Sequence, residues 1–151
     1  MSEIIGGLLL YRKKPDLQLL LAHPGGPQLP DDEEDYWNIP QNYVDESDQP
    51  LETLKHKFEE SFGFIPKGKY IDLGIQNLRN KERIRVWAVS HDIPDSFVFE
   101  PFWFEMEWPP DSGEMITFPE MDRIEYFDPF EARNKLYPGQ APFLSKLITK
   151  L

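Results

Sequence analysis

An α+β fold, a mixed sheet with helices packed on its faces, is what the chain predicts, and three features predict it. Paired apolar runs bounded by turn residues lie at 6–24 and 69–91, apolar residues recur three and four apart over 51–62, and two further helical stretches close the chain. With 151 residues there is enough chain for a self-sufficient hydrophobic core. No repeat or low-complexity tract offers a linker, so one domain over 1–151 is expected.

The elements follow in order. GGLLLYRKK, 6–14, reads as a strand and DLQLLLAHP, 16–24, as its hairpin partner, with Lys14, Pro15 and Asp16 supplying the turn. GGPQLPDDEED, 25–35, is a loop, and YWNIP, 36–40, a short strand closed by proline. From Pro50 the period changes. Leu51, Leu54, Phe58 and Phe62 predict an amphipathic helix capped by Ser47 or Asp48 and ended by Gly63. KYIDLGIQN, 69–77, and RIRVWAVSH, 83–91, form a second hairpin turning near Asn80. The aromatic and proline-rich stretch 97–122 has no clear period. Beyond it come a strand at 122–128, a helix at 129–136 and a terminal helix at 140–151, whose entry Pro138, Gly139 and Gln140 shape.

Composition excludes several function classes. The formal charge is −11, from 16 Lys plus Arg against 27 Asp plus Glu, and no basic cluster is visible, so nucleic acid is not an expected partner. There is no cysteine, which removes disulfides and thiolate metal sites. The run IIGGLLLY, 4–11, is too short to span a bilayer, and it enters Arg12, Lys13 and Lys14 without a cleavage site. A cytoplasmic protein without a membrane partner is expected. The acidic runs 31–35 and 45–48 read as solvated loops.

The polar face of the predicted helix is where chemistry can sit. At about 100° per residue Glu60 points nearly opposite Leu51, Phe58 and Phe62. Carboxylates at i, i+3 and i+4 can share one Mg²⁺ or Mn²⁺, because hard cations need several convergent oxygens. Here that trio is Lys57, Glu60 and Ser61, with one carboxylate only. Lys57 and Glu60 are spaced for an ion pair instead.

NYVDESDQPLETLKHKFEESFGF, 42–64, resembles the box of the Nudix hydrolases, G-x5-E-x7-R-E-U-x-E-E-x-G-U with U bulky and apolar. Asn42 stands at the first glycine, Asp48 at the first glutamate, His56 at the arginine and Lys57 at the glutamate beside it. Phe58, Glu60, Gly63 and Phe64 match, and Ser61 replaces the second acid of the E-E pair. The flanking segments, among them HPGGP, WNIP, EWPP, FPEMDR and PGQAPFL, are similar to a bacterial branch of the same family. The resemblance implies a mixed sheet between helices, an α/β/α sandwich, with the box forming a strand, loop and helix. It implies hydrolysis of nucleoside diphosphate-linked compounds with Mg²⁺ or Mn²⁺ on box glutamates, a chemistry in which metals neutralise charge building on phosphate oxygens. Only Glu60 carries over as metal ligand and catalytic residue. The expectation is a protein that has lost or weakened this activity and binds a nucleotide or another small diphosphate. The alternative is an active hydrolase.

Other residues enter as candidates. Glu105, Glu107, Glu114 and Glu120 either stand exposed or approach Glu60 and restore a cation site, and His23 either makes ordinary loop hydrogen bonds or contacts a ligand. Trp37, Trp87, Trp103 and Trp108 can stack a base or serve packing. An exposed aromatic patch over 97–108 would mark a protein partner or a homodimer.

Overall fold

The computed structural model describes residues 3–25, 36–78, 81–101 and 103–151. The first hairpin is present: β1 (Glu3–Lys13) and β2 (Leu17–Pro24) pair antiparallel, Tyr11 opposite Leu19. β1 continues along the same edge against β3 (Gln41–Asp45), with Ile5 opposite Tyr43. On its other side β1 runs parallel to β5 (Arg83–Ser90), which pairs antiparallel with β4 (Ile71–Asn77). The turn expected near Asn80 lies outside the described residues. β8 (Met121–Phe127) closes the order β4-β5-β1-β2-β8, so the sheet is mixed.

Side chains of β1 alternate between two cores because successive strand residues point to opposite faces. Ile4, Leu8 and Leu10 face the helix α1 (Pro50–Phe62), where Leu54, Phe58 and Phe62 are buried. Ile5 and Leu9 face the other core, built on α2 (Pro129–Lys135) and α3 (Pro142–Lys150) through Ala132, Phe143, Leu144 and Leu147. Helices therefore cover both faces, as expected. Asp128 caps α2 by accepting from the Glu131 amide, and a tight helical turn, 138–140, leads into α3.

Several local expectations are corrected. Neither Ser47 nor Asp48 caps α1: the cap position is Gln49, at φ 43°, with no side-chain cap bond. Ser47 is engaged elsewhere, donating its amide and hydroxyl to Asp45 Oδ1 in a local turn that competes with capping. Residues 36–40 do not form a strand of their own. Trp37 and Asn38 make single bridges, to Leu136 and Ala22, and the continuous strand begins after Pro40, which has no amide to donate. The stretch without a clear period holds a separate hairpin, β6 (Trp103–Glu107) with β7 (Met115–Pro119). Its turn is held by Glu107, whose carboxylate accepts from the amides of Asp111 and Gly113. Phe97 and Phe99 do not join an exposed patch, because they pack against the α1 core.

The C-terminus of α1 is set by Gly63, at φ 86°, whose amide donates to Glu59 O. A Cβ there would meet no atom within 4 Å, so replacement costs only backbone strain. Gly63→Ala is expected to lower stability by about 1 kcal/mol, and Leu54→Ala, which empties a core position, by about 3 kcal/mol. Urea titration with an unchanged m-value checks both.

Candidate functional site

The box segment folds as strand, turn and helix: β3, the turn 46–49 and α1. Among the described residues β3 pairs with β1 and with no other strand, so its outer edge needs other partners for its backbone groups. Two box side chains supply them. Asn42 Oδ1 accepts from the Tyr43 amide at 2.9 Å, and Lys57 Nζ donates to the Tyr43 carbonyl at 2.7 Å. The expected ion pair between Lys57 and Glu60 is therefore replaced, since the ammonium lies over β3 while Glu60 is exposed.

Lys57 and Ser61 border the apolar face of α1 and line a small recess together with Asn42, Gln41, Pro40 and Met121. The recess shares Pro40, Gln41, Asn42 and Met121 with a cleft of about 220 Å³ that runs on to Asn38, Ala22 and Glu120. A cleft of this size, below the usual drug-sized range, accepts one ring-sized group. The recess and cleft together make a groove with an ammonium at one end and amides and a carboxyl at the other.

The remaining candidates separate. Asp48 and His56 are exposed, Phe58 is core, and Phe64 packs edge-on against Phe58. Of the four later acids, Glu105, Glu107 and Glu114 belong to the β6–β7 hairpin and its turn. Glu120 alone lines the cleft. Burial pushes its carboxyl above the usual range. His23 sits at the end of β2 with Nδ1 2.7 Å from Asp122 Oδ1 and its ring edge-on to Trp37. Trp37 and Trp87 are core, and Trp103 is 57% exposed on the outlying hairpin. Among the described residues no three Asp, Glu or His side chains converge to hold a metal ion. The recess at Lys57 and Ser61 offers an ammonium, a hydroxyl and side-chain amides and no carboxylate, a donor set that does not fit Mg²⁺ or Mn²⁺.

Sequence reasoning missed Gln140, a residue 3% exposed. Its Oε1 accepts from the Ile39 amide at 2.8 Å, and its Nε2 donates to Asn38 Oδ1 at 3.0 Å and Gln41 Oε1 at 3.1 Å. A glutamine just ahead of an apolar helix gives no periodic sign of burial. Its partners lie in segments about a hundred residues away and meet it only in the folded chain.

No family model matches the chain, and no curated protein matches it in sequence. Solved structures do. An Ap4A hydrolase of C. elegans superposes with a TM-score of 0.65 at 14% identity, covering 96% of each chain. A mutT/nudix family protein from Listeria innocua gives 0.60 at 16%, covering 98% of this chain and 91% of the other. The NUDIX domain of Shewanella oneidensis NrtR, a structure complexed with ADP ribose, gives 0.62 at 12%, covering 99% and 89%. At these identities the likeness is one of fold: the mixed sheet and three helices are Nudix-like.

Glu120 makes a pH prediction. A carboxyl whose folded-state pKa is raised favours folding at low pH and loses that contribution as pH rises through the folded value. Glu120→Gln lacks the loss. Its stability relative to the parent should therefore climb as pH rises above about 4, as read by urea titration over a pH series.

Proposed function

We propose that the chain is a Nudix family member, one domain over 1–151, in which metal-dependent pyrophosphohydrolysis is lost or weakened and the groove serves ligand binding. The observation that carries this is the bond from Lys57 to the Tyr43 carbonyl. An ammonium occupies the place where the box pattern has a metal-facing carboxylate, and it repels a divalent cation by several kcal/mol in a partly dry site. It also has a structural task that a carboxylate could not perform, because carboxylate and carbonyl oxygens repel. Ser61 offers a neutral oxygen in place of the second acid, and Glu60 faces solvent.

The ligand class is a nucleotide or another small diphosphate compound. ADP ribose in the NrtR structure supports this choice. Its anionic part would meet Lys57 and Ser61, and an uncharged ring would enter the cleft beside Asn38 and Glu120. A protein partner or second copy would meet the outlying hairpin, where Trp103 and Met115 are 57% and 60% exposed.

One observation favours the alternative of an active hydrolase: Glu120 lines the groove and can supply a second acid. Hydrolysis would then need Mg²⁺ or Mn²⁺ and Glu60.

Calorimetric titration with Mn²⁺, run beside a panel of nucleoside diphosphate compounds, separates the readings. The parent is expected to show neither cation binding nor turnover, and the double variant Lys57→Glu, Ser61→Glu to gain cation binding. Tight Mn²⁺ binding by the parent, with turnover abolished in Glu60→Gln, would establish the hydrolase instead.

A further inference from the structure

The cleft carries a hydrogen-bonding polarity that backbone atoms determine. A main-chain N–H can only donate, so the Gln140 atom 2.8 Å from the Ile39 amide is its oxygen. The other end of Gln140 is then an amino group, able only to donate. The Asn38 and Gln41 atoms that face it at 3.0 and 3.1 Å are therefore both oxygens. Each of these residues keeps its own amino group for another partner, and both line the cleft. Asn42 obeys the same logic: the Tyr43 amide claims its oxygen and leaves its amino group over. Among the described residues, three amides of the lining thus have their carbonyl oxygens engaged and their amino groups left out of these bonds.

The charges decide what such a wall recognises. Neutral donors alone would accept a phosphate as readily as a carbonyl, but Glu120 stands in the same cleft and, when ionised, its carboxylate repels an anion. An uncharged group rich in acceptors, with an N–H for Glu120, satisfies every partner. An unpaired donor or acceptor left buried costs as much as a lost hydrogen bond, so a ligand of the opposite polarity is rejected.

We infer that Gln140 is a positioning residue which turns Asn38 and Gln41 donor-first into the cleft, making it a subsite for an uncharged cyclic imide or similar carbonyl-rich heterocycle. The inference rests on the reading of the groove as the ligand site and adds the chemistry of its inner end. Gln140 touches no ligand. It acts through two other side chains, from the turn that enters α3.

The test uses two neutral probes, uracil methylated at its glycosidic nitrogen, which presents carbonyl, N–H and carbonyl, and diaminopyridine, which presents the reverse order. Side-chain amide resonances of Asn38 and Gln41 report binding by NMR. The parent is expected to favour the uracil by about tenfold or more. Gln140→Glu, read at a pH where the new carboxyl is ionised, keeps an oxygen for the Ile39 amide but can no longer donate. Asn38 and Gln41 must then turn their amino groups toward it, and the preference should invert. Gln140→Met, which leaves both amides free to rotate, should bring the two affinities close together. In the parent itself, scalar couplings across the hydrogen bonds from Gln140 Nε2 to the Asn38 and Gln41 carbonyls are expected, and their absence refutes the inference even if neither variant folds. Equal affinity of the parent for both probes, or a preference unmoved by Gln140→Glu, also refutes it while sparing the groove as a ligand site. No response to either probe removes the groove reading and this inference together.

Discussion

Burial of β1 on both faces is the constraint on which the rest of the structure depends. Leu8, Leu9 and Leu10 are fully buried, and the strand has β5 along one side with β3 and β2 along the other. A strand with no solvent face must be covered above and below, which is why α1 lies on one side and α2 with α3 on the other. Gly6 and Gly7 set how close the cover can come. A Cβ at Gly6 would stand 3.1 Å from a Leu54 methyl, and one at Gly7 would stand 3.2 Å from Ile39. These two contacts seat the helix and the 38–40 segment against the sheet, and the groove opens between them.

Termination of the sheet at β3 has a chemical consequence. Open strand edges need donors and acceptors from somewhere, and here the Asn42 amide and the Lys57 ammonium provide them. Together the two residues serve one edge, with an amide that suits the Tyr43 N–H and a cation that suits its carbonyl. A carboxylate at position 57 could not make this contact, because carboxylate and carbonyl oxygens repel.

The polar interior of the groove shows how much order one buried side chain can impose. Gln140 is satisfied at both ends, so it cannot rotate without leaving a buried group unpaired. Because the Ile39 amide fixes its direction, the polarity propagates outward to Asn38 and Gln41. A neutral network of this kind orients donors without burying a charge.

What the sequence by itself determined is whatever local spacing encodes. Leu51, Leu54, Phe58 and Phe62 define α1, and paired apolar runs define both hairpins. Tertiary structure alone decided the rest. Ser47 was drawn from capping into a turn by Asp45, and the aromatic stretch split between the α1 core and the β6–β7 hairpin. Lys57 turned from Glu60 to a carbonyl fourteen residues back, and Gln140 met partners about a hundred residues away. Periodicity records which face of an element is apolar, and so it forecasts burial. Which polar group meets which depends on where unsatisfied backbone atoms come to lie, and those positions do not exist until the chain has folded.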